Sequence, residues 1–135
     1  MRYILGFVLG LLLLTTPPRA DAQETAIQAV ISDQFADFLE DDFAGAFAHA
    51  SPMIRRIFGT PENFGNMVRN GFPMVWRPSE FQFLSNRNDG ALYFQDVLIR
   101  DAQGRVHILE YEMIKGENGW KINGVRPKNP DPGTA

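Results

Sequence analysis

Glu80-Phe81-Gln82-Phe83-Leu84-Ser85-Asn86-Arg87-Asn88-Asp89-Gly90-Ala91-Leu92-Tyr93-Phe94-Gln95-Asp96-Val97-Leu98-Ile99-Arg100 is the stretch whose reading decides the fold. Phe81 and Phe83 alternate with Glu80 and Gln82, the period of two that sends successive side chains to opposite faces of a strand. Asp89-Gly90 is a strong two-residue hairpin signal, and Ala91 to Arg100 is rich in aromatic and β-branched residues. Turn-forming clusters at Asp101-Ala102-Gln103-Gly104 and Gly116-Glu117-Asn118-Gly119 then set off a third strand, Arg105 to Lys115, from a fourth through Trp120-Lys121-Ile122-Asn123-Gly124-Val125. The reading is an antiparallel meander.

N-terminal to Pro73 the period is 3.6. Ile27, Val30, Ile31, Phe35, Phe38 and Leu39 form the apolar stripe of a helix from Glu24 to Leu39. Asp42, Ser51 and Thr60 are N-cap residues for three shorter helices, and Pro52 and Pro61 occupy first helical positions, where a missing N–H costs nothing. Helices packed on one face of a curved antiparallel sheet make the class α+β.

Hairpin loops also predict which side chains share a face. With Asp89-Gly90 as the loop, Ser85 pairs with Phe94, Phe83 with Asp96 and Phe81 with Leu98; with Arg100 opposite Arg105, Leu98 pairs with His107, Asp96 with Leu109 and Phe94 with Tyr111. One face then carries Phe81, Phe83, Leu92, Phe94, Leu98, Leu109, Tyr111, Met113, Trp120 and Ile122, broken only by Asp96 and His107. In this register those two are diagonal neighbours and Tyr111 lies on the other diagonal of Asp96. A carboxylate among Phe and Leu is costly without a partner, and an imidazole beside it makes a general acid/base pair, so Asp96, His107 and Tyr111 are the catalytic candidates. The plainer reading pairs Asp96 with an Arg or a helix-end amide and puts His107 at the wet rim. The opposite face holds Tyr93, Val97, Ile99, Val106 and Ile108, enough apolar surface to suggest a homodimer through the outer sheet face.

Composition narrows the chemistry. The 135 residues include 13 Lys+Arg and 16 Asp+Glu, a net charge of −3, which offers no basic surface for nucleic acid. With no cysteine and two histidines, no thiolate zinc site, disulfide framework or CxxC centre exists, and no HxxxH or HExxH spacing occurs; neither metal nor cofactor is expected. His49 closes a helix and suits its dipole. Arg55, Arg56, Arg69 and Arg77 form the most basic stretch; Trp76, Arg77, Phe94, Tyr111 and Trp120 are the candidates for lining a ligand pocket, although buried tryptophans more often pack cores. No G-x-S-x-G or phosphate-loop pattern is present.

Met1-Arg2 precedes an apolar run from Tyr3 to Leu14, then Pro17-Pro18 and Ala20-Asp21-Ala22, which reads as residues 1–22 of a secretory signal cut after Ala22. The expected destination is the bacterial periplasm or the exterior, with no stable membrane span after cleavage. Retention of the run as an anchor is the alternative. Residues 23–126 then make one α+β domain, and the Pro-rich residues 127–135 a disordered tail.

Ala50-Ser51-Pro52-Met53-Ile54-Arg55-Arg56-Ile57-Phe58-Gly59-Thr60-Pro61-Glu62-Asn63-Phe64, with Met67-Val68-Arg69, Gly71-Phe72-Pro73 and Val75-Trp76-Arg77-Pro78, resembles the bacterial family called domain of unknown function 4864. The element order is similar to the nuclear transport factor 2-like, cystatin-like α+β superfamily. That resemblance implies a cone-shaped fold, often with an apolar pocket between helices and sheet, and no catalytic residues to carry over. Three functions remain open: a non-catalytic small-molecule-binding or accessory module for a small apolar ligand, an acid/base enzyme of isomerase, dehydratase or hydratase type using Asp96 and His107, and a homodimeric interaction domain.

Overall fold

Ile27, Ile31, Phe35 and Phe38 are wholly or almost wholly buried and run down one side of α1 (Arg19–Leu39), which lies against the sheet. The computed structural model describes Gly10 and residues 19–128; most of the expected signal and the end of the expected tail lie outside them. Helix α1 begins five residues earlier than the apolar stripe, at Arg19 rather than Glu24. None of the described helices is long and apolar enough to cross a membrane.

The caps read from the sequence form as expected. Asp42 accepts from Gly45 N at the start of α2 (Phe43–Ala48), Ser51 from Ile54 N at α3 (Pro52–Phe58), and Thr60 from Asn63 N at α4 (Pro61–Gly71). A four-residue helix, α5 (Pro73–Trp76), follows where no helix was expected. The turn from α1 to α2 needs Asp41 in the left-handed region, φ 55°. Arg77 holds it there, donating to both Asp41 carboxylate oxygens (2.9 and 3.0 Å) and to the Phe38 carbonyl (2.5 Å), which also accepts from Asp41 N at 3.0 Å in the last turn of α1.

The strands β1 (Glu80–Asp89), β2 (Leu92–Arg100), β3 (Val106–Gly116) and β4 (Gly119–Pro127) form an antiparallel sheet in the order β1-β2-β3-β4. The class is α+β, as read. The first hairpin turns at Gly90-Ala91, with Asp89 opposite Leu92, rather than at the expected Asp89-Gly90. Two further departures from the expected register decide where the candidate residues lie. After β2 the backbone pairs Asp101 with Arg105 (Asp101 N to Arg105 O, 2.9 Å), which leaves a three-residue loop with Gly104 at φ 84°. The Asp101 carboxylate caps it, accepting from Gln103 N and Arg105 N at 2.9 Å each. One loop residue fewer than expected turns β2 over relative to β3. Val97 therefore pairs with Leu109, Gln95 with Tyr111 and Tyr93 with Met113, all facing the helices, while Asp96 pairs with Glu110 and Phe94 with Glu112 on the outer face.

The second difference is a bulge in β1 between Phe83 and Asn86. It puts Phe81 and Phe83 opposite Ile99 and Val97, so both phenylalanines face the core side, and Phe81 stacks on Phe35 with centroids 4.6 Å apart. Gln95, fully buried, supports this bulge: its Nε2 donates to the Leu84 carbonyl at 3.1 Å and the Asp96 carbonyl at 2.9 Å, with the Ser85 carbonyl at 3.4 Å. The face expected for β3 and β4 is the observed one, since Leu109, Tyr111, Met113 and Ile122 are all core. The tail is shorter than expected at its start: β4 reaches Pro127, and Lys128 N donates to the Ile108 carbonyl at 2.8 Å.

Candidate functional site: an apolar cavity between the helices and the last strand

The loop from α2 to α3 is tied to β4. Ser51 N donates to Ile122 O and Ile122 N to His49 O, both at 2.8 Å, and the Ser51 hydroxyl donates to Asn123 Oδ1 at 2.8 Å. These bonds fix the start of α3 beside β4, with α4 packed against α3. Between them lies a cavity of about 230 Å³, walled by Phe38 from α1, Ile54 and Phe58 from α3, Phe64, Met67 and Val68 from α4, Phe72 and Val75 around α5, and Ile122, Gly124 and Val125 of β4. Phe64 is its aromatic hub, with the rings of Phe38, Phe47 and Phe58 at 6.0, 5.4 and 5.9 Å. Gln34 is the sole polar side chain among the described lining residues, and its Nε2 is already committed to the Ala46 carbonyl at 2.9 Å. No lining residue titrates, so the cavity can select by shape and apolar area and has no group to move a proton.

The residues expected to form a catalytic pair are separated. Asp96 is on the outer face, where it accepts from Lys128 Nζ at 2.5 Å and has the Ser85 hydroxyl at 3.5 Å. His107 is on the inner face at the end of a hairpin, its Nε2 2.9 Å from Asp101 Oδ2. Tyr111 is fully buried, and its hydroxyl has no hydrogen-bond partner among the described residues; burial pushes its ionisation far above the ordinary tyrosine range. The expected convergence of Asp96, His107 and Tyr111 is thus corrected by the one-residue loop difference. The expected dimer surface is corrected for the same reason, because Tyr93, Val97 and Ile99 are core.

None of the expected pocket residues lines this cavity, although Phe94 borders a second, polar hollow on the outer face with Asp96, Arg87 and Lys128. Trp76 donates from Nε1 to Asp41 at 2.9 Å and carries the Arg77 guanidinium over its ring at 4.0 Å, both parts of the α1–α5 clasp. Trp120 packs edge-on against Tyr93 at 5.9 Å. Phe94 is covered on the outer face by Arg87, 4.0 Å from its ring. Gln34 was missed by the sequence reading, although a signal existed: it follows Ile27 and Ile31 on the buried stripe of α1, where a polar side chain is out of pattern.

Around Phe94 the outer face carries a charged network. Arg87 pairs with Glu110 at 2.9 Å, and Arg126 bridges Glu110 (3.1 Å) and Glu112 (2.8 Å). Burial alone would raise Glu110, but hydrogen bonds from Arg87 and Arg126 outweigh it and hold the carboxyl below its ordinary value. Arg126, assisted by Asn123, does the same to Glu112. Both groups bind protons less readily folded than unfolded. Their contribution to stability is therefore complete above the unfolded value of 4.5 and is lost as pH falls through the lowered folded values. Thermal unfolding followed from about pH 6 to about pH 3 should show a falling Tm on the acid side, with a shallower fall in Arg126→Ala. An equal slope in the variant would mean that the network is not its source.

The profile of a family described as a domain of unknown function (DUF4864) matches residues 20–133. The chain belongs to the DUF4864 family. No curated protein matches this DUF4864 chain. Among solved structures it is similar to RPA3114, a SEC-C motif containing protein from Rhodopseudomonas palustris, at 14% identity and a TM-score of 0.57 over 77% of this chain and 80% of that one. It is also similar to a domain of unknown function with a cystatin-like fold from Nostoc punctiforme, at 18% identity and a TM-score of 0.54 over 82% and 78%. An NTF-2 like protein of unknown function from Burkholderia xenovorans LB400 aligns at 17% identity over 81% and 88%, with a TM-score of 0.47. The DUF4864 domain thus shares a cystatin-like fold with its structural neighbour, in keeping with its element order. Among its described residues no group of three or more His, Cys, Asp or Glu is placed to hold a metal ion.

Proposed function

We propose that this DUF4864 domain is an exported, non-catalytic binding or accessory module that holds a small, uncharged, apolar ligand in the cavity under α3, α4 and α5. The observation that carries the reading is a cavity of about 230 Å³ whose lining has one amide and no titratable group. An apolar cavity of about 150 Å³ already admits benzene; this one has room for a ring with a short substituent. A charged ligand would lose its hydration there without a partner, which weighs against acids and amines. The acid/base alternative has no geometric support once Asp96 and His107 lie on opposite faces.

Indole, toluene and 1-octanol titrated against the protein test the reading by thermal unfolding. A ligand at 100 times its Kd should stabilise the fold by about 2.7 kcal/mol, with a one-to-one end point. Val68→Phe, which grows a ring into the cavity, should weaken binding at least tenfold while the domain still unfolds cooperatively. Stabilisation that Val68→Phe leaves unchanged, or none with any probe up to its solubility, would overturn the reading. Export is checked by the mass of the protein recovered from cells, expected to begin at Gln23.

A further inference from the structure

Helix α3 has two sides, and the cavity accounts for one. Ile54 and Phe58 line the cavity, whereas Met53 (42% exposed) and Ile57 (65% exposed) stand one turn apart in solvent, and no residue of the helix is buried. Arg55 and Arg56 are exposed on the same helix and, among the described residues, make no ion pair or side-chain hydrogen bond. Arg77 is committed to Asp41, Arg87 and Arg126 to Glu110, Arg100 to Glu80, and Lys128 to Asp96, while Arg105 and Lys115, likewise without an ion pair among the described residues, stand singly at opposite ends of β3. In a chain of net charge −3, two adjacent uncompensated cations on the exposed arc of one helix, Arg56 beside Met53 and Ile57 and Arg55 at the far edge of that arc, are a local exception.

We propose that this side of α3 docks the domain on an anionic lipid surface, with Met53 and Ile57 entering the boundary between headgroups and acyl chains and Arg55 and Arg56 meeting the lipid phosphates. The charges complement such a surface, and the apolar pair supplies the insertion that a purely basic patch lacks. Size favours lipid over an acidic protein. A helix of seven residues offers far less than the roughly 800 Å² that each partner brings to a stable protein interface, whereas a bilayer asks for no shape match. The inference goes beyond the cavity reading and does not need it, although docking by α3 would bring the cavity wall formed by Ile54 and Phe58 against a store of apolar molecules.

Co-sedimentation of the full chain with vesicles tests it, comparing equimolar phosphatidylglycerol and phosphatidylcholine with phosphatidylcholine alone. The apolar run Tyr3 to Leu14 is common to every variant, so its share is read from the neutral vesicles and all comparisons are made at lipid concentrations below saturation. Binding to the anionic vesicles should exceed binding to neutral ones at least tenfold and weaken with salt. Neutralising both arginines (Arg55→Gln with Arg56→Gln) should reduce it about 25-fold, about fivefold per charge. Met53→Ser with Ile57→Ser should reduce it too, while Val68→Phe should leave it unchanged, so failure of ligand binding and failure of docking remain separable. Equal binding to both vesicle types, or binding that survives loss of both arginines, would overturn the proposal. So would a concentration-dependent dimer in lipid-free solution that the same substitutions abolish, since the face would then belong to a second copy.

Discussion

Tyr111→Phe should leave the domain as stable or raise its stability by about 1 kcal/mol, whereas Tyr111→Ala should lower it by about 3–5 kcal/mol. The opposite signs come from one side chain. The Tyr111 ring is fully buried at the centre of the sheet, edge-on to Phe35 at 6.1 Å, and takes part in the main core cluster. Its hydroxyl is buried with it and has no partner among the described residues. A hydroxyl moved from water to an apolar site without a hydrogen bond is a net cost, so removing the oxygen alone relieves that cost and keeps the packing. Removing the ring opens a void that the close-packed surroundings fill only in part. Urea unfolding of the three proteins reads both effects, and the Phe variant should show a Tm unchanged or higher by roughly 4 °C. A loss of more than about 1 kcal/mol in Tyr111→Phe would show that the hydroxyl makes a bond that stabilises the fold.

Gln95→Leu should cost about 2–3 kcal/mol although it replaces a buried polar side chain by an apolar one of similar size. At most buried positions such a change is mild. Here the Gln95 amide is the hydrogen-bond donor for carbonyls that the β1 bulge takes out of the ladder, so leucine would leave them buried and unpaired. The damage should be local as well as global. Without its support the bulge can be expelled, and a slip of one residue would turn Phe81 and Phe83 away from Val97 and Ile99. Amide exchange should therefore speed up in β1 well before it does in β3. Uniform acceleration across the sheet would point instead to a simple loss of overall stability.

The two substitutions also mark where sequence reading succeeds and stops. Caps at Asp42, Ser51 and Thr60 were legible because each is a local event, one side-chain oxygen and an amide three residues on. The inner face of β3 was legible because its apolar residues alternate with Glu110 and Glu112. β2 was not, since Leu92, Phe94 and Leu98 are as apolar as Tyr93, Val97 and Ile99, and each set contains one polar residue, Asp96 or Gln95. Period-two patterning cannot choose between such faces, and the choice passed to a loop whose length differs by one residue. Asp101 makes that loop short by capping two amides, a chemistry visible in the sequence only once the pairing is known. The cavity was illegible for another reason: its walls come from four helices and the last strand, which no local window contains.

The tie between the α2–α3 loop and β4 joins residues 72 positions apart. A ribosome delivers Ser51 long before Asn123, so the helical half must wait with Phe58, Phe64 and Val68 uncovered until the final hairpin arrives. Contacts of such separation are slow to form and leave apolar surface open to wrong partners in the interval. Vectorial synthesis thus makes the C-terminal strand the closing step of this domain, and a nascent chain stalled before Trp120 is the species most in need of a chaperone.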